Sequence, residues 1–583
     1  LRQMLFLGQT TQTTGDAPTD ADLASLTGWL ADRLGCAAPT AAISTMDLAA
    51  VLPLEAPIET VLISNSDSRL RLDPQTGKNK YGTTPRPRPE AVHFSSSTAS
   101  SISSYGFLYC DVLRRDLLNQ ILDSGQDPGA LRSALCQALV QELCLLCAID
   151  PQGADGVIAP SGTDTEVLAV LLARAAAPET PLVNILISPA ETGRGVKLAG
   201  AGQYFDDQSA TGAAIKKGAP IWDGAQIELA EIPLRDSAGK RLPLAELDAA
   251  FLAAGRRALA GGARVLAHVL IGSKTGLCGP SAEAVETLRA EAPDRVDVVV
   301  DACQMRVDFA QLGQWLERGW MLQVSGSKSL TGPPFSGALL MPSSYRARAQ
   351  AAHRLMRPGI CYPEDWSGWW AGRMGRSSTA PALGAPLRWL PALLETKLLD
   401  QVPQALRDHA LDQFRHAVLQ RLETSPYLEA LADPKTDPET GAAEEPVIGH
   451  LARHSIMSFQ VQALDRNGAL SALDEAGCRH LFETLNRDAS PLLPMATAPE
   501  KALLRQEFHI GQPVVLGQGA EARCVLRLVI GMRFYNIVAH AGPGAATAAL
   551  ESEISDLLRA IDKLEILARH WPEWGASEQA AGS

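Results

Sequence analysis

The chain lacks long apolar runs. No window of its 583 residues approaches eighteen uninterrupted apolar residues, the length typical of a membrane-spanning helix. Blocks of basic residues are missing too, and the formal net charge of −13 disfavours nucleic acid as a partner. The opening stretch, "LRQMLFLGQTTQTTGDAPTD", holds too short an apolar run for a signal peptide. We therefore expect a cytoplasmic protein with no membrane or nucleic-acid partner.

The ten cysteines form no disulfide framework. Cys144 and Cys147 are spaced as C-x-x-C, but they lie in "LRSALCQALVQELCLLCAID", whose apolar spacing is typical of a buried helix. A redox or metal pair would need a loop or a second pair of ligands, so no metal site is predicted. Scattered free thiols favour a reducing compartment.

Three regions differ in their sequence pattern. Residues 1–90 form an extension with a helix-like segment ("DADLASLTGWLADRL"), a strand-like segment ("IETVLIS") and no catalytic motif. In residues 91–380, short apolar strands alternate with helices, which predicts a mainly parallel sheet covered on both faces. Residues 381–583 combine helices, strand-like pieces, a polar loop at 433–446 and a closing amphipathic helix, which predict a smaller α+β domain. Parallel sheets bind ligands beyond the carboxyl ends of their strands.

Two polar features follow strand-like segments in the first half of the chain. "APSGTDTE", residues 159–166, begins a helix after a small-residue turn, where free N–H groups and the helix dipole suit a phosphate. The same residues also make an ordinary helix N-cap. "DVVVDACQMR" ends its valine run on Asp301, which is either a structural cap or ion pair, or a carboxylate that holds a proton on a cofactor nitrogen.

Two further features carry cations. "QVSGSKSLTGPPFSGALL" contains Lys328, 27 residues after Asp301, so that the two side chains can end neighbouring strands. A desolvated lysine can act as a nucleophilic amine, and Ser325 and Ser327 can hydrogen-bond phosphate oxygens. "VLRLVIG" carries Arg527, either an exposed strand arginine or a clamp for a carboxylate. Pyridoxal 5'-phosphate acting on an amino acid requires these four parts together, and their order and spacing favour that cofactor.

In these motifs the chain resembles the fold type I pyridoxal-phosphate enzymes, and among them the class V aminotransferase and cysteine desulfurase superfamily. The resemblance covers roughly residues 91–583 and rests on "VHFSSSTASSISSYGF", "PSGTDTE", "EIPLRDSAGKRLPLAELDAAF", "GSKTGLCGP", "DACQ", "SGSKSLTGPPFSGALL", "GRSSTAPALGA" and "VLRLVIG". It implies an α/β fold with a mainly parallel, seven-stranded type of sheet in a large cofactor-binding domain, plus a small C-terminal domain on which N-terminal segments can pack. It also implies a homodimer with shared active sites.

The resemblance implies a role for each matching residue. Lys328 would form the Schiff base and move protons, Asp301 would keep the pyridine nitrogen protonated, and Gln304 would hydrogen-bond the ring's 3-hydroxyl oxygen. The residues implied for the phosphate are Gly162, Thr163, Ser325, Ser327 and, across the subunit boundary, Thr379. The residues implied for the substrate are Arg527, which would bind its carboxylate, Ser96 in the opening segment and Ser273 in the Thr-Gly loop.

The sequence departs from the family at three places. Many relatives place a histidine over the ring, whereas "ILISPAETGRG" offers Glu191, a candidate for acid–base work, and Thr192, a candidate for cofactor contact. The Arg-Ser-Gly-Thr element reads Arg-Ser-Ser-Thr. The nucleophilic cysteine of a desulfurase has no clear counterpart, since Cys361 comes early and the two later cysteines lie in helix-like and strand-like runs.

These observations favour an aminotransferase or an elimination-type lyase of specialised metabolism that acts through Lys328. The alternatives are a desulfurase-like enzyme and a decarboxylase or carbon–carbon bond-forming enzyme, because the bond that breaks depends on its angle to the ring. A non-catalytic protein on the same fold is a further alternative. A phosphate-ligand enzyme without this cofactor is disfavoured, since no G-x-G-x-x-G or Walker pattern accompanies the "SGTDTE" turn.

Overall fold

The computed structural model describes residues 54–224, 226–378, 381–431, 455–542 and 544–575. The strands in these ranges are β1 Val92–Phe94, β2 Ala154–Ala159, β3 Leu182–Ile187, β4 Ile227–Ile232, β5 Arg264–Leu270, β6 Val296–Asp301, β7 Met321–Ser325, β8 Gly337–Pro342, β9 Leu428–Ala430, β10 Ile456–Leu464, β11 Leu470–Ala472, β12 Phe508–Leu516 and β13 Arg523–Val529. The helices are α1 Ile58–Ile63, α2 Ser104–Ser124, α3 Pro128–Leu146, α4 Gly162–Ala175, α5 Val196–Gly200, α6 Leu244–Ala260, α7 Ala282–Glu291, α8 Phe309–Glu317, α9 Ala349–Leu355, α10 Gly384–Leu399, α11 Gln404–Thr424, α12 Glu475–Leu485, α13 Ala498–Arg505, α14 Met532–Ala539, α15 Ala546–Arg569 and α16 Trp571–Trp574.

A seven-stranded sheet forms the centre of the chain. Its order is β2-β8-β7-β6-β5-β3-β4, and only β8 runs antiparallel to its neighbours. Every residue of β2, β3, β5, β7 and β8 is buried, as strands covered on both faces require. Separate apolar clusters lie on the two faces, one containing the leucines of α4 and the other those of α3 and α7. The predicted α/β fold with a mainly parallel sheet is confirmed.

A second sheet lies in the C-terminal half and runs β1-β12-β13-β10-β11, with β9 paired to β10. It is antiparallel except where β1 runs parallel to β12. Ser95, directly after β1, forms a bridge with Val529 at the end of β13. The chain that leads into the large sheet is therefore anchored on the C-terminal sheet. The domain bounds at residues 90 and 380 stay a prediction.

The structure corrects one predicted element. "IETVLIS" forms helix α1, not a strand, and buries Ile58, Val61 and Leu62 at helical spacing against an apolar cluster that includes Leu387 of α10. The helix-like segment at 20–34 and the polar loop at 433–446 lie outside the described residues. The C-x-x-C pair is buried at the end of α3, in agreement with a structural role. Across the described ranges, we find no helix with both the length and the apolar character for a bilayer crossing.

Candidate active site

The site lies where β6 and β7 end side by side. Asp301 is paired with Gln323 in the parallel register, and the Ala302 N–H donates to Gln323 O at 3.0 Å. Beyond β7, the Ser329 N–H donates to Gln304 O at 3.4 Å, which joins the turn after Lys328 to the turn after Asp301. Lys328 is half-buried, and its ammonium forms no ion pair with any described residue.

A small cavity of about 20 Å³ opens at this edge of the sheet. Its walls include three of the predicted residues, Gly162 at the start of α4, Thr192 after β3 and Asp301 at the end of β6. His268 and Gln323 of the neighbouring strands also line it. Lys328, Gln304, Ser325 and Ser327 lie outside the cavity wall.

The floor of the cavity is a buried polar cluster that the sequence did not reveal. Glu166 of α4 accepts hydrogen bonds from Asn184 Nδ2 at 2.8 Å and Gln323 Nε2 at 2.9 Å. His268 Nε2 lies 3.2 Å from Glu166 Oε1 but without the direction of a hydrogen bond. Burial raises the pKa of Glu166, but His268 and the two amide donors outweigh burial and hold the pKa below its ordinary value. The only signal in the sequence was His268 itself, a polar residue inside the apolar run "RVLAHVLIG".

Gln304 keeps one polar atom unpaired. The side chain is 2% exposed, and its Nε2 donates to Ser97 O at 3.1 Å. Its Oε1 is buried and has no hydrogen-bond partner among the described residues. An unpaired buried acceptor is costly, so a ligand hydroxyl that donates to Oε1 would stabilise this side chain.

The turn before α4 approaches the Asp301 turn closely. A Cβ on Gly162 would lie 2.9 Å from the Sγ of Cys303, so only glycine fits there without a shift. Burial, and then the nearby Asp301, raise the pKa of Cys303 well above its ordinary value, although Lys328 opposes them. Cys303 is therefore a neutral thiol between Asp301 and the start of α4.

Hydroxyl groups surround the start of α4. Ser161 caps the helix, with its Oγ accepting from the N–H groups of Thr163 at 3.2 Å and Asp164 at 3.4 Å. Gly337 of β8 is paired with both Ala159 and Ser325, which places the end of β7 two strands from this turn. Ser325 Oγ lies 2.8 Å from Ser327 Oγ.

Left-handed backbone conformations occur beside the site. Ser188 (φ 40°) precedes the Glu191 turn, Met305 (φ 50°) follows Gln304, and Thr331 (φ 54°) lies three residues after Lys328. Such conformations cost non-glycine residues about 1–3 kcal/mol each and persist where surrounding contacts impose them. Their grouping around these turns is typical of a functional site.

Glu191 and Ser273, predicted as separate site residues, contact each other. Ser273 Oγ donates to Glu191 Oε2 at 3.0 Å, and Thr275 Oγ1 donates to the same oxygen at 2.5 Å. Arg235 Nε donates to Glu191 Oε1 at 2.9 Å. Glu191 is 2% exposed and lies in a turn before α5. Its carboxylate therefore ties the loop after β5 to the loop after β3.

Arg527 of β13 is fully buried with neutral partners. Its Nη1 donates to Ser97 Oγ at 2.8 Å and Lys274 O at 3.0 Å, and its Nη2 donates to Thr98 Oγ1 at 3.1 Å. No described carboxylate forms an ion pair with it. Burial, and then the neighbouring Arg306, lower the pKa of Arg527 to about 9.

Ser96, the serine predicted as a site residue in the opening segment, accepts a hydrogen bond from Arg306. The distance from Arg306 Nη2 to Ser96 Oγ is 2.8 Å, and both side chains are buried. Thr379, predicted to reach across a subunit boundary, lies outside the described residues.

Lys274 is a second site lysine that sequence reasoning missed. Burial, and then the charges of Arg527 and Lys328, lower its pKa to about 7. Its backbone N–H donates to Glu191 O at 2.9 Å. "GSKTGLCGP" gave no signal for Lys274, because only its Thr-Gly pair matches the family pattern.

Comparisons with known proteins give no family match. No protein-family model matches the sequence, and no curated protein matches it. Among solved structures, a phosphoserine aminotransferase from Cytophaga hutchinsonii is 11% identical over 82% of this chain and 99% of its own, with a TM-score of 0.45. A NifS-like protein from Rickettsia africae is 12% identical over 81% of this chain and 99% of its own, with a TM-score of 0.44.

A third similar structure is the glutamate decarboxylase domain of a transaminase and decarboxylase from Vibrio parahaemolyticus. It is 13% identical over 90% of this chain and 97% of its own, with a TM-score of 0.44. At these scores, none of the three similarities carries an argument about activity. The fold assignment therefore rests on the strand order of this chain, and the site rests on its own residues.

Proposed function

We propose that this chain is a pyridoxal 5'-phosphate-dependent enzyme that acts on an amino acid. One observation carries the proposal: Gly162 and Asp301 line the same cavity, and the turn after Lys328 is hydrogen-bonded to the turn after Asp301. The turns that carry a carboxylate, an amine and a helix start thus lie side by side at the carboxyl edge of a parallel sheet, the usual ligand position of such folds. Residues 91–380 would form the cofactor domain and residues 381–583 the small domain.

The residues present fit the cofactor. The Asp301 carboxylate would hold the proton of the pyridine nitrogen, and the unpaired Oε1 of Gln304 would accept the hydroxyl of the ring. Gly162 and Thr163 at the start of α4, with Ser325 and Ser327, would hold the phosphate, and Thr192 would contact the cofactor from the cavity wall. When bound, the cofactor supplies an electron sink for the charge that develops at the substrate's α-carbon.

Lys328 would perform two tasks in turn. Its amine would hold the cofactor covalently through the aldehyde carbon, with loss of water, which requires the neutral form of the lysine. As a free amine, the same side chain would take a proton from the substrate's α-carbon or return one. The absence of an ion pair among the described residues leaves the Lys328 amine available for both tasks.

Arg527 would bind the substrate's carboxylate. A buried guanidinium without a carboxylate partner is destabilised by its charge, and an incoming carboxylate would neutralise it. All five N–H groups of this guanidinium donate to neutral oxygens of Ser97, Thr98, Lys274 and Gln512, so an incoming carboxylate would replace one or more of these acceptors. Ser96 and Ser273 lie in the two loops that hold this arginine, and Glu191 orients the second loop.

Within this class we propose an aminotransferase or an elimination-type lyase. Cysteine desulfuration needs an accessible thiolate, whereas Cys361, Cys478 and Cys524 are all buried. Burial, and then Asp365, raise the pKa of Cys361 well above its ordinary value, which keeps that thiol protonated. A decarboxylase stays the second candidate, because the same Lys328 and Asp301 would serve it.

We also propose a homodimer with shared active sites. Helix α2 exposes Tyr105, Leu108, Tyr109 and Val112, which are 40%, 64%, 49% and 59% exposed. Their spacing of three and four residues places them in one apolar stripe. An exposed stripe of this kind is typical of a surface that a second subunit covers.

The test is chemical trapping of the cofactor. Purified protein is incubated with pyridoxal phosphate, reduced with borohydride, digested and mapped by mass spectrometry. We expect the cofactor mass on the peptide that contains Lys328, its loss in Lys328→Ala, and its retention in Lys274→Ala, the matched control at the other lysine near the site. A cofactor mass on Lys274, or a wild-type protein that binds no cofactor, would contradict the proposal.

A further inference from the structure

Arg69 lies at the start of α4, although it belongs to the segment that precedes the large sheet. Its Nη1 lies 3.1 Å from Thr163 Oγ1, and its Nη2 lies 2.9 Å from Ser161 Oγ. Those two hydroxyls flank Gly162, the residue that lines the cavity with Asp301. The guanidinium is thus beside the turn that the proposed cofactor's phosphate would occupy, and its side chain is 12% exposed.

The orientation of Arg69 is fixed from two sides. Asp67 accepts from Arg69 Nε at 2.8 Å and from Nη2 at 2.5 Å. The guanidinium carbon lies 4.3 Å from the ring centre of Phe335 and 5.0 Å from that of Phe205. These contacts hold the guanidinium plane in place before any ligand binds, which reduces the entropy lost on binding.

The segment that carries Arg69 is anchored in the core. Arg388 of α10, fully buried, donates to the backbone oxygens of Leu62 at 2.9 Å, Ser64 at 2.7 Å and Asn65 at 2.9 Å. Arg132 of α3 donates to Asn65 Oδ1 at 2.9 Å. These hydrogen bonds from buried arginines therefore fix the position of the segment that carries Arg69.

Helix capping does not explain why Arg69 lies at the start of α4. The start of α4 is already capped by Ser161, so the helix does not need Arg69 for its free N–H groups. A cation at a helix N-terminus is also disfavoured by the positive end of the helix dipole. A phosphate at the same place would be stabilised by the dipole and by the guanidinium together.

The nearby acids leave room for an anion. Asp67 is already paired with Arg69, and Asp164 Oδ2 lies 3.9 Å from Arg69 Nη2. Burial raises the pKa of Asp164 to about 7, although Arg69 opposes it, so this carboxyl holds a proton below neutral pH. The unpaired Oε1 of Gln304, the residue after Cys303, independently indicates a ligand near this turn.

We propose that Arg69 binds the phosphate of the cofactor, so that the N-terminal segment completes the cofactor site of its own subunit. This inference rests on the proposed function. Arginine suits the role because its charge is permanent, and its Nη1 and Nη2, which here bind the hydroxyls of Thr163 and Ser161, would donate to two phosphate oxygens in their place. The Arg-Ser-Ser-Thr element, which is expected to reach the phosphate across the subunit boundary, departs from the family pattern. Arg69 would supply a phosphate contact from the same chain.

The test compares two ligands that differ only in the phosphate. The dissociation constants of pyridoxal phosphate and of pyridoxal are measured by absorbance titration of the cofactor-free full-length protein. Arg69→Gln should weaken pyridoxal phosphate about 10- to 100-fold and leave pyridoxal within about twofold, because a charged hydrogen bond is lost only to the phosphate. Arg71→Gln is the matched control, since Arg71 is exposed and its Nη2 contacts Gln208.

Arg69→Lys provides a second variant that keeps the charge and much of the packing, so it tests the inference even if Arg69→Gln fails to fold. We expect a smaller loss for pyridoxal phosphate and none for pyridoxal. Equal losses for both ligands, or an unchanged affinity for pyridoxal phosphate, would overturn the role of Arg69 while the proposed function stands. A wild-type protein that binds neither ligand would overturn both.

Discussion

The close approach of Gly162 to Cys303 provides a sharp test of the site geometry. In Gly162→Ala, the new Cβ would lie 2.9 Å from Cys303 Sγ and 3.7 Å from Cys303 Cβ. Unbonded heavy atoms pack best at about 3.5–4.0 Å, so only the sulfur contact is too short, by about 0.6–1 Å. Either the turn before α4 or the turn after Asp301 must shift by that amount.

The expected cost follows from the size of the overlap. Overpacking of a close-packed site costs about 1–3 kcal/mol. Alanine at the first turn of a helix carries no backbone penalty of its own, because Gly162 has an ordinary helical φ. A displacement of the turn before α4 should therefore weaken the affinity for pyridoxal phosphate by about 5- to 150-fold.

The assay is a double-mutant cycle on cofactor affinity. Cys303→Ala removes the sulfur and leaves the Cβ at an ordinary contact distance, so Gly162→Ala with Cys303→Ala should bind pyridoxal phosphate nearly as well as Cys303→Ala alone. Gly153→Ala is the matched control, since its Cβ would meet only Asp150 O at 3.5 Å. Failure of Cys303→Ala to restore the affinity would refute the steric argument.

Three further predictions concern substrate binding by Arg527, the pKa of Lys274 and the subunit contact on α2. Arg527→Gln should raise the KM for an amino acid substrate at least tenfold and leave cofactor affinity unchanged, whereas Arg523→Gln, exposed at the start of the same strand, should change neither. Lys274 has a pKa of about 7 in the folded protein against about 10.4 when exposed, so its protonation opposes folding below pH 7 and this penalty fades as the pH rises towards 10. Lys274→Met should therefore raise the thermal midpoint more at pH 6 than at pH 10, and an equal effect at both would contradict the assigned pKa. Leu108→Glu should halve the mass measured by light scattering if the stripe on α2 is the dimer contact, and an unchanged dimer would place the contact elsewhere.

The sequence predicted the parts of the site that follow strands. Asp301 ends a run of valines and Lys328 follows the next apolar strand, so the rule of parallel sheets was sufficient to place their turns together. The strand predicted for the residues of α1 was wrong, because the β-branched residues Ile58, Val61 and Ile63 favour a strand in isolation. Burial against α10 decides in favour of the helix, and that contact is more than 300 residues away in the chain.

The charged residues around the site were harder to predict because their function depends on distant partners. Arg69 is separated from Thr163 by 94 positions and lies in a segment without a motif. Lys274 owes its lowered pKa to burial and then to Arg527 and Lys328, which come from β13 and from the turn after β7. A sequence shows which residues can carry charge, but the packing of several segments decides which charges meet.

The parallel pairing of β1 with β12 has a consequence for synthesis on the ribosome. His93 is paired with His509, about 400 residues later, and Arg527 follows on the next strand. At a synthesis rate of about 5–20 residues per second, about 20–80 s would pass between the synthesis of β1 and the synthesis of β12. During that interval the seven-stranded sheet can be complete while Ser96 and Ser97 lack the strand that holds them. The cofactor half of the site would therefore be assembled before the substrate half, and loss of the C-terminal strands would remove the second half alone.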